Sequence, residues 1–308
     1  MGYAIGAGIM NLLVVLGLSP LYDGFARRFV RARIHSRQGP PLRQTYYDLL
    51  KLLGKEDLRV SDNPLFPLAP KLCLAAVVAA GLLVPMGLLV APLSGAGDVI
   101  LFVYLIGLAA MAVVLGAASS DSPYAQVGLG REVMLLLTVE PVMVVALLTA
   151  AIKAHSLQFT SIIAWHNAAG ATFSMIIAAI AFFAALLVEG GWLPFDTSEA
   201  EQEIMGGPFI EQSGPKLALF KWGFWGKKLI FAALLAQVFI PWPVFDLSGG
   251  LGMALGVITT LVKAGLIWLL ASLIDVVHPR VRIDQALNIF LALFLLAGIG
   301  LAFAIMGF

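Results

Sequence analysis

The chain is poor in charge and nearly empty of cysteine. Asp, Glu, Lys and Arg make up 12% of its 308 residues against 60% hydrophobic ones, and the mean hydropathy is +0.96. That leaves too little polar surface for a soluble protein of this length. A lone cysteine, Cys73, excludes an internal disulfide. It also excludes any iron–sulfur cluster held by this chain alone, because such clusters take about four thiolates. His35, His155, His166 and His278 are scattered without metal-ligand spacing. With 19 basic and 18 acidic residues the net charge is +1, which excludes the broad basic field of a nucleic-acid binder. The alternating polarity of a membrane β-barrel is missing. So are the basic leader of a cleavable signal, the Ser or Thr that a myristoylation motif would need at Gly6, and the inverted internal repeats common in secondary transporters.

What is present is apolar and long. A hydrocarbon core of about 30 Å takes roughly 20 residues of helix. Eight runs of that kind lie near 3–22, 68–91, 98–119, 132–152, 170–189, 228–245, 250–275 and 285–306. The sequence therefore predicts an all-α, polytopic membrane protein forming one domain over 1–308. Its two long loops would be 23–67, with amphipathic segments, and 190–227, which is acidic. An even number of spans puts both termini on one side. Nearly all Lys and Arg outside the runs fall in loops 23–67, 120–131, 190–227 and 276–284, and Lys153 alone lies in the opposite connections. The positive-inside bias then predicts cytoplasmic long loops and outward termini.

In the first loop, Arg27 to Leu58 interleaves basic residues with Phe29, Val30, Ile34, Tyr46, Leu49, Leu50, Leu52 and Leu53 at roughly helical spacing, broken at Gly39-Pro40-Pro41. Two readings stand: anchoring in lipid headgroups, or a rim that docks a partner through Arg27, Arg31, Arg33, Arg37, Gly39 and Pro40. The second loop is denser in chemistry. Asp196, Glu199, Glu201, Glu203 and Glu211 fall among Trp192, Leu193, Phe195, Ile204, Met205, Phe209 and Ile210. Ser198 with Glu201 makes a capping box, which predicts a short helix with Glu199 and Glu203 on one face. A solvated acidic loop is the plain alternative. The apolar residues argue instead for a folded segment whose acids exchange protons near neutrality.

Ionisable residues also fall within the runs. Glu132 and Glu140 share the fourth, about 12 Å apart along a helix axis, with Pro141 freeing a carbonyl beside Glu140. Glu189 closes the fifth run, and Lys263 and Asp275 lie on the seventh. A polar helix contact at Glu140 and a static Lys263–glutamate pair are the structural alternatives. A charge inside the bilayer costs at least about 2.5 kcal/mol, so such residues usually mark an ion path. Glu132, Glu140, Glu189 and the cluster from Asp196 through Glu203 then read as a proton wire, with Lys263 and Asp275 beside it.

At PFDTSEAEQE (Pro194 to Glu203) the chain resembles the membrane subunit of respiratory complex I that shapes the quinone channel, and its hydrogenase relatives. The resemblance covers essentially the whole chain and includes RQGP (Arg37 to Pro40), KLLGKED (Lys51 to Asp57), GPFIEQSG (Gly207 to Gly214) and PRVRID (Pro279 to Asp284). HSRQGP, YYDLLKLLG, DSPYAQVGLGREVMLLLTVEP, VEGGWLPFD and LALFKWG are similar to the energy-converting hydrogenases, the branch that includes formate hydrogenlyase. Gln38, Pro41 and Trp192 depart from that pattern. The resemblance implies a prokaryotic cell-membrane anchor that binds no cofactor itself. Nickel–iron and iron–sulfur centres would sit in other chains: hydrogenase large and small subunits and a ferredoxin-like subunit, beside antiporter-like membrane subunits. It also implies that Asp196, Glu199, Glu201, Glu203 and Glu140 connect the redox module to the membrane path, with Glu211 on the docking side. Two other readings remain: a quinone-channel subunit, and a stand-alone secondary ion transporter.

Overall fold

Apolar side chains distributed around every face of a run leave a backbone no option in lipid but to bond to itself, and helices result. A computed structural model describes residues 2–88, 91–93, 95, 98–243 and 250–307. The ends of the predicted runs 68–91 and 228–245 lie partly outside the described residues. Among those described there is no β-strand, only an isolated bridge between Asp98 and Gln158.

In chain order the helices are α1 (Gly6–Ile34), α2 (Gln44–Leu53), α3 (Leu65–Leu83), α4 (Val99–Ala118), α5 (Pro123–Ala154), α6 (Phe159–Ala169), α7 (Phe173–Glu189), α8 (Glu201–Ile204), α9 (Gly214–Val238), α10 (Gly250–Val277) and α11 (Ile283–Ile305). Six of them, α1, α3, α4, α5, α10 and α11, are long and apolar enough to cross a membrane. The fifth and sixth predicted spans correspond to α7 and α9. The first is apolar but only 17 residues long, and the second carries four lysines.

The helices outrun the apolar windows. α1 continues past the predicted boundary at residue 22 to Ile34, through π-helical stretches at Leu13–Leu18 and Ala26–Arg31. α9 begins at Gly214 rather than near 228. The two long loops are shorter than predicted because charge does not end a helix when a partner neutralises it. Arg27 Nε lies 2.7 Å from Asp23, and Lys216 Nζ lies 2.5 Å from Asp57. Local chemistry sets other boundaries. The Asp98 carboxylate caps α4 by accepting the Leu101 N–H at 2.7 Å. The buried Asn11 amide donates to the Gly81 and Val84 carbonyls at 2.9 and 2.7 Å, satisfying the end of α3.

Packing places α9 at the centre, against α3 on one side and α10 on another, while α5 packs on α4, α7 and α11. Nearly every residue of α9 from Gly226 to Val238 is buried. Lys227 and Lys228, at the start of that stretch, are therefore held inside the protein, near α1, α7 and α10.

Candidate functional site

The acidic segment after α7 folds differently from the capping-box expectation. The helix α8 starts only at Glu201, without a side-chain cap, so Ser198 and Glu199 stay in irregular backbone. Ser198 instead lies in a small pocket with Glu132. Glu199 and Glu203 consequently part company. Glu203 is exposed, held 2.7 Å from Arg131, and that guanidinium keeps its carboxyl below the usual range. Glu199 turns inward. Burial and the nearby Asp196 charge, opposed by Lys228, push its carboxyl up to about 7.

Two cavities meet at Glu199. The larger, about 300 Å³, lies among α1, α9 and α10 and is lined by Asp23, Arg27, Arg31, Asp196, Glu201 and Asp275, with Lys221, Lys228, Trp192 and Trp268. The smaller, about 30 Å³, is lined by Glu132, Glu189, Lys227, Ser198, Phe195 and Leu136, and that volume suits one water with polar partners. Glu199, Gly191 and Phe224 line both. A carboxyl at such a junction can take a proton from one chamber and release it to the other without leaving its place.

The remaining acids sort by partner. Glu189 and Lys227 form a 2.9 Å pair with both side chains buried. Asp275 accepts from Arg31 at 2.5 Å and from the Leu193 N–H at 3.0 Å, tying α10 to α1 and to the loop. Asp196 is paired with Arg280 at 3.0 Å, yet burial, the larger effect, raises its carboxyl. Among the described residues no basic group lies within ion-pair distance of Glu132, Glu140 or Glu199. The Glu140 carboxyl fits against Gly107 of α4, where a Cβ would stand 2.8 Å from its Oε1. Glu140 lies one turn, about 6 Å, beyond Leu136 at the edge of the smaller cavity.

Other expected residues lie elsewhere. Lys263 donates to the Ile240 carbonyl at 2.9 Å and lines a separate cavity of about 70 Å³ with Gln237 and Thr260. The lysine that neutralises a membrane glutamate is Lys227, which the hydropathy boundary had assigned to a loop. Arg27 and Arg31 face the large cavity, with Asp23 and Asp48 near the one and Asp275 near the other. Arg33 and Arg37 face away from it into a different hollow. Gly39 packs on the Arg28 backbone, and the Pro40 carbonyl lies 3.5 Å from the Arg28 guanidinium. Glu211 follows the 3₁₀ turn Gly207–Phe209 and lines none of these cavities.

Sequence reasoning missed Lys227, Lys228 and Gly107, and read Ser198 only as a helix cap. Lys228 sits 4.8 Å over the Trp192 ring rather than on a carboxylate. The available signal was two adjacent lysines inside a helix whose next eight residues are apolar. Among the described residues no group of three or more His, Cys, Asp or Glu is placed to hold a metal ion.

Comparison with known proteins settles the lineage. The family model described as NADH dehydrogenase matches residues 7–306. The chain belongs to that family. It is 33% identical over 290 residues to hydrogenase-4 component C of Escherichia coli K12, covering 91% of this chain and 90% of the relative. It is 31% identical over 279 residues to formate hydrogenlyase subunit 4 of the same organism, covering 90% and 91%. An NADH-quinone oxidoreductase subunit of Anoxybacillus flavithermus is 32% identical over 301 residues, covering 93% and 87%. A chain of the membrane-bound sulfane sulfur reductase, an archaeal respiratory membrane complex, superposes with a TM-score of 0.87 at 25% identity, over 99% of this chain and 100% of that one. This family member is thus a multi-pass membrane protein, homologous to membrane subunits of energy-converting complexes.

Proposed function

We propose that the chain is the membrane subunit of an energy-converting hydrogenase complex, where it seats a soluble nickel–iron and iron–sulfur module. There it couples proton reduction to export of protons or sodium ions. The observation that carries the reading is the junction at Glu199, where a charged chamber and a one-water pocket share a carboxyl that burial pushes up to about 7.

In this reading eight helices span the membrane, α7 and α9 included, and the termini face outward with the long loops in the cytoplasm. The placement of Lys and Arg supports that orientation. Protons pass from the large chamber to Glu199, across the small pocket to Glu132, and on to Glu140, two turns or about 12 Å farther along α5. Gly107 leaves the Glu140 carboxyl room to reorient. Lys227 pairs with Glu189 beside the path, and Lys228 lines the large chamber together with Glu199. Redox chemistry belongs to partner chains, and antiporter-like subunits receive the coupled charge.

The quinone-channel reading draws on the 32% identity to the NADH-quinone oxidoreductase relative. The make-up of the large chamber favours water over quinone: its lining includes Asp23, Asp196, Glu199, Glu201 and Asp275 with Arg27, Arg31, Lys221 and Lys228, a poor solvent for an apolar ring and tail. The test uses the intact complex in proteoliposomes, with hydrogen evolution and proton uptake recorded together. Glu132→Gln should leave the subunits assembled and lower the protons moved per hydrogen formed. An unchanged ratio rejects the path, and quinone-dependent turnover with no hydrogen evolution rejects the hydrogenase assignment.

A further inference from the structure

The arginines at the end of α1 divide into two sets. Arg27 and Arg31 turn toward Asp23, Asp48 and Asp275. Arg28, Arg33 and Arg37 line a hollow of about 590 Å³ on the other side, and no acidic residue lines it. Among the described residues none of these three has a carboxylate within ion-pair distance.

The hollow is a folded feature rather than a loose tail. The Arg37 N–H donates to the Ala32 carbonyl at 2.8 Å, returning the chain onto α1. Gly39 then lies so close that a Cβ would stand 2.8 Å from the Arg28 Cα and 2.9 Å from the Ala32 Cβ. Only glycine permits this closure.

An apolar stripe leads to the same place. Ile9, Leu13, Leu21, Phe25 and Phe29 recur at intervals of four or eight residues along α1 and are all exposed, Leu13 at 65%. The Phe25 and Phe29 rings lie 4.6 Å apart, and the Arg28 guanidinium stands 5.8 Å over Phe29. Phe29 lines the hollow itself. The stripe thus ends on a cluster of uncompensated guanidinium groups, the arrangement that takes an acyl chain along its length and a phosphate at its end.

We propose that Arg28, Arg33 and Arg37 bind the headgroup phosphate of an anionic phospholipid whose acyl chain lies along the stripe from Phe29 toward Ile9. A soluble acidic protein segment would match the charge but leave the stripe unused, so lipid accounts for both halves of the surface.

The test titrates phosphatidylglycerol, in a phosphatidylcholine background, onto the delipidated full complex and counts retained lipid by native mass spectrometry. Each guanidinium near the membrane surface contributes about five-fold in affinity, so Arg33→Gln should weaken retention by about five-fold and the triple Gln variant by about a hundredfold. Lys153→Gln, on the opposite connection, should leave it unchanged. If the triple variant does not assemble, Arg33→Gln carries the test, because that side chain is exposed and unpaired. Equal retention in wild type and Arg33→Gln overturns the proposal. So does displacement of the lipid by inorganic phosphate alone, which would assign the hollow to a soluble anion. Loss of the soluble module with lipid retention intact would assign it to a protein partner.

Discussion

The acids on the loop face and the acids farther inside have opposite company. Asp275, Asp196 and Glu203 are each held by an arginine, Arg31, Arg280 and Arg131, and those pairs join α10 to α1, the loop to the segment before α11, and α8 to α5. Glu199, Glu132 and Glu140 have no such partner among the described residues, and they follow a line from a chamber through a small pocket to the face of α4. A guanidinium cannot give up its proton at ordinary pH, so the positive partner of each such pair is permanent and the pair serves as a fixed tie between elements. An unclamped carboxyl in a poorly solvated place is free to change state. In the proposed function the difference separates what builds the site from what moves charge through it.

Substitutions should break along that line. Glu140→Gln has the largest expected effect on transport: assembly intact, with proton transfer slowed by about a hundredfold, as for loss of a positioned acid–base group. Full pumping in this variant, measured in proteoliposomes, places Glu140 among the structural acids. Lys227→Met leaves Glu189 as a buried lone charge and should cost about 3 kcal/mol of stability, read from thermal unfolding. The double variant with Glu189→Gln should regain most of that, and a double variant as unstable as the single one would show that the pair is not the source of the loss. Asp275→Asn should loosen the contact between α1 and α10 and lower the midpoint of unfolding while protons moved per hydrogen stay unchanged. A lost stoichiometry with stability intact would move Asp275 to the conducting set. Glu203→Gln, at the exposed end, should change neither stability nor pumping measurably. Whatever small stability its ion pair adds is present above the ordinary carboxylate range and is lost as pH falls through the lowered one, because the carboxyl is held below its ordinary range.

Much of the helical frame was legible, because apolar runs of membrane length leave few alternatives. Each of the eight runs overlaps a helix, and six of those helices meet the length and polarity of a span. Boundaries were misread where charges are paired. A hydropathy window sees Arg27 and Arg31 as loop, yet the helix persists because Asp23 and Asp275 neutralise them. The acidic loop was recognisable from its mixture of Glu with Trp, Phe and Ile. Its inner geometry was not, since Ser198 leaves the capping position for the small pocket that holds Glu132, a tertiary placement that no local pattern encodes. Lys227 escaped for the same reason: its buried position depends on α7 lying beside α9. Lys263 looked like the membrane counter-ion by depth, and the fold directs it to the Ile240 carbonyl.

The central claim, that Glu199 is a proton-exchanging junction, is tested most directly by infrared difference spectroscopy of the intact complex over a pH titration. A carboxyl held up to about 7 is protonated below neutrality and ionises on passing above it. It also binds more protons folded than unfolded in that window, so its contribution to stability declines as pH rises through it. The account predicts a protonated carboxyl band that titrates near pH 7 and vanishes in Glu199→Gln. A band that survives the substitution, or a Glu199 carboxyl that is fully ionised at pH 6, would contradict it.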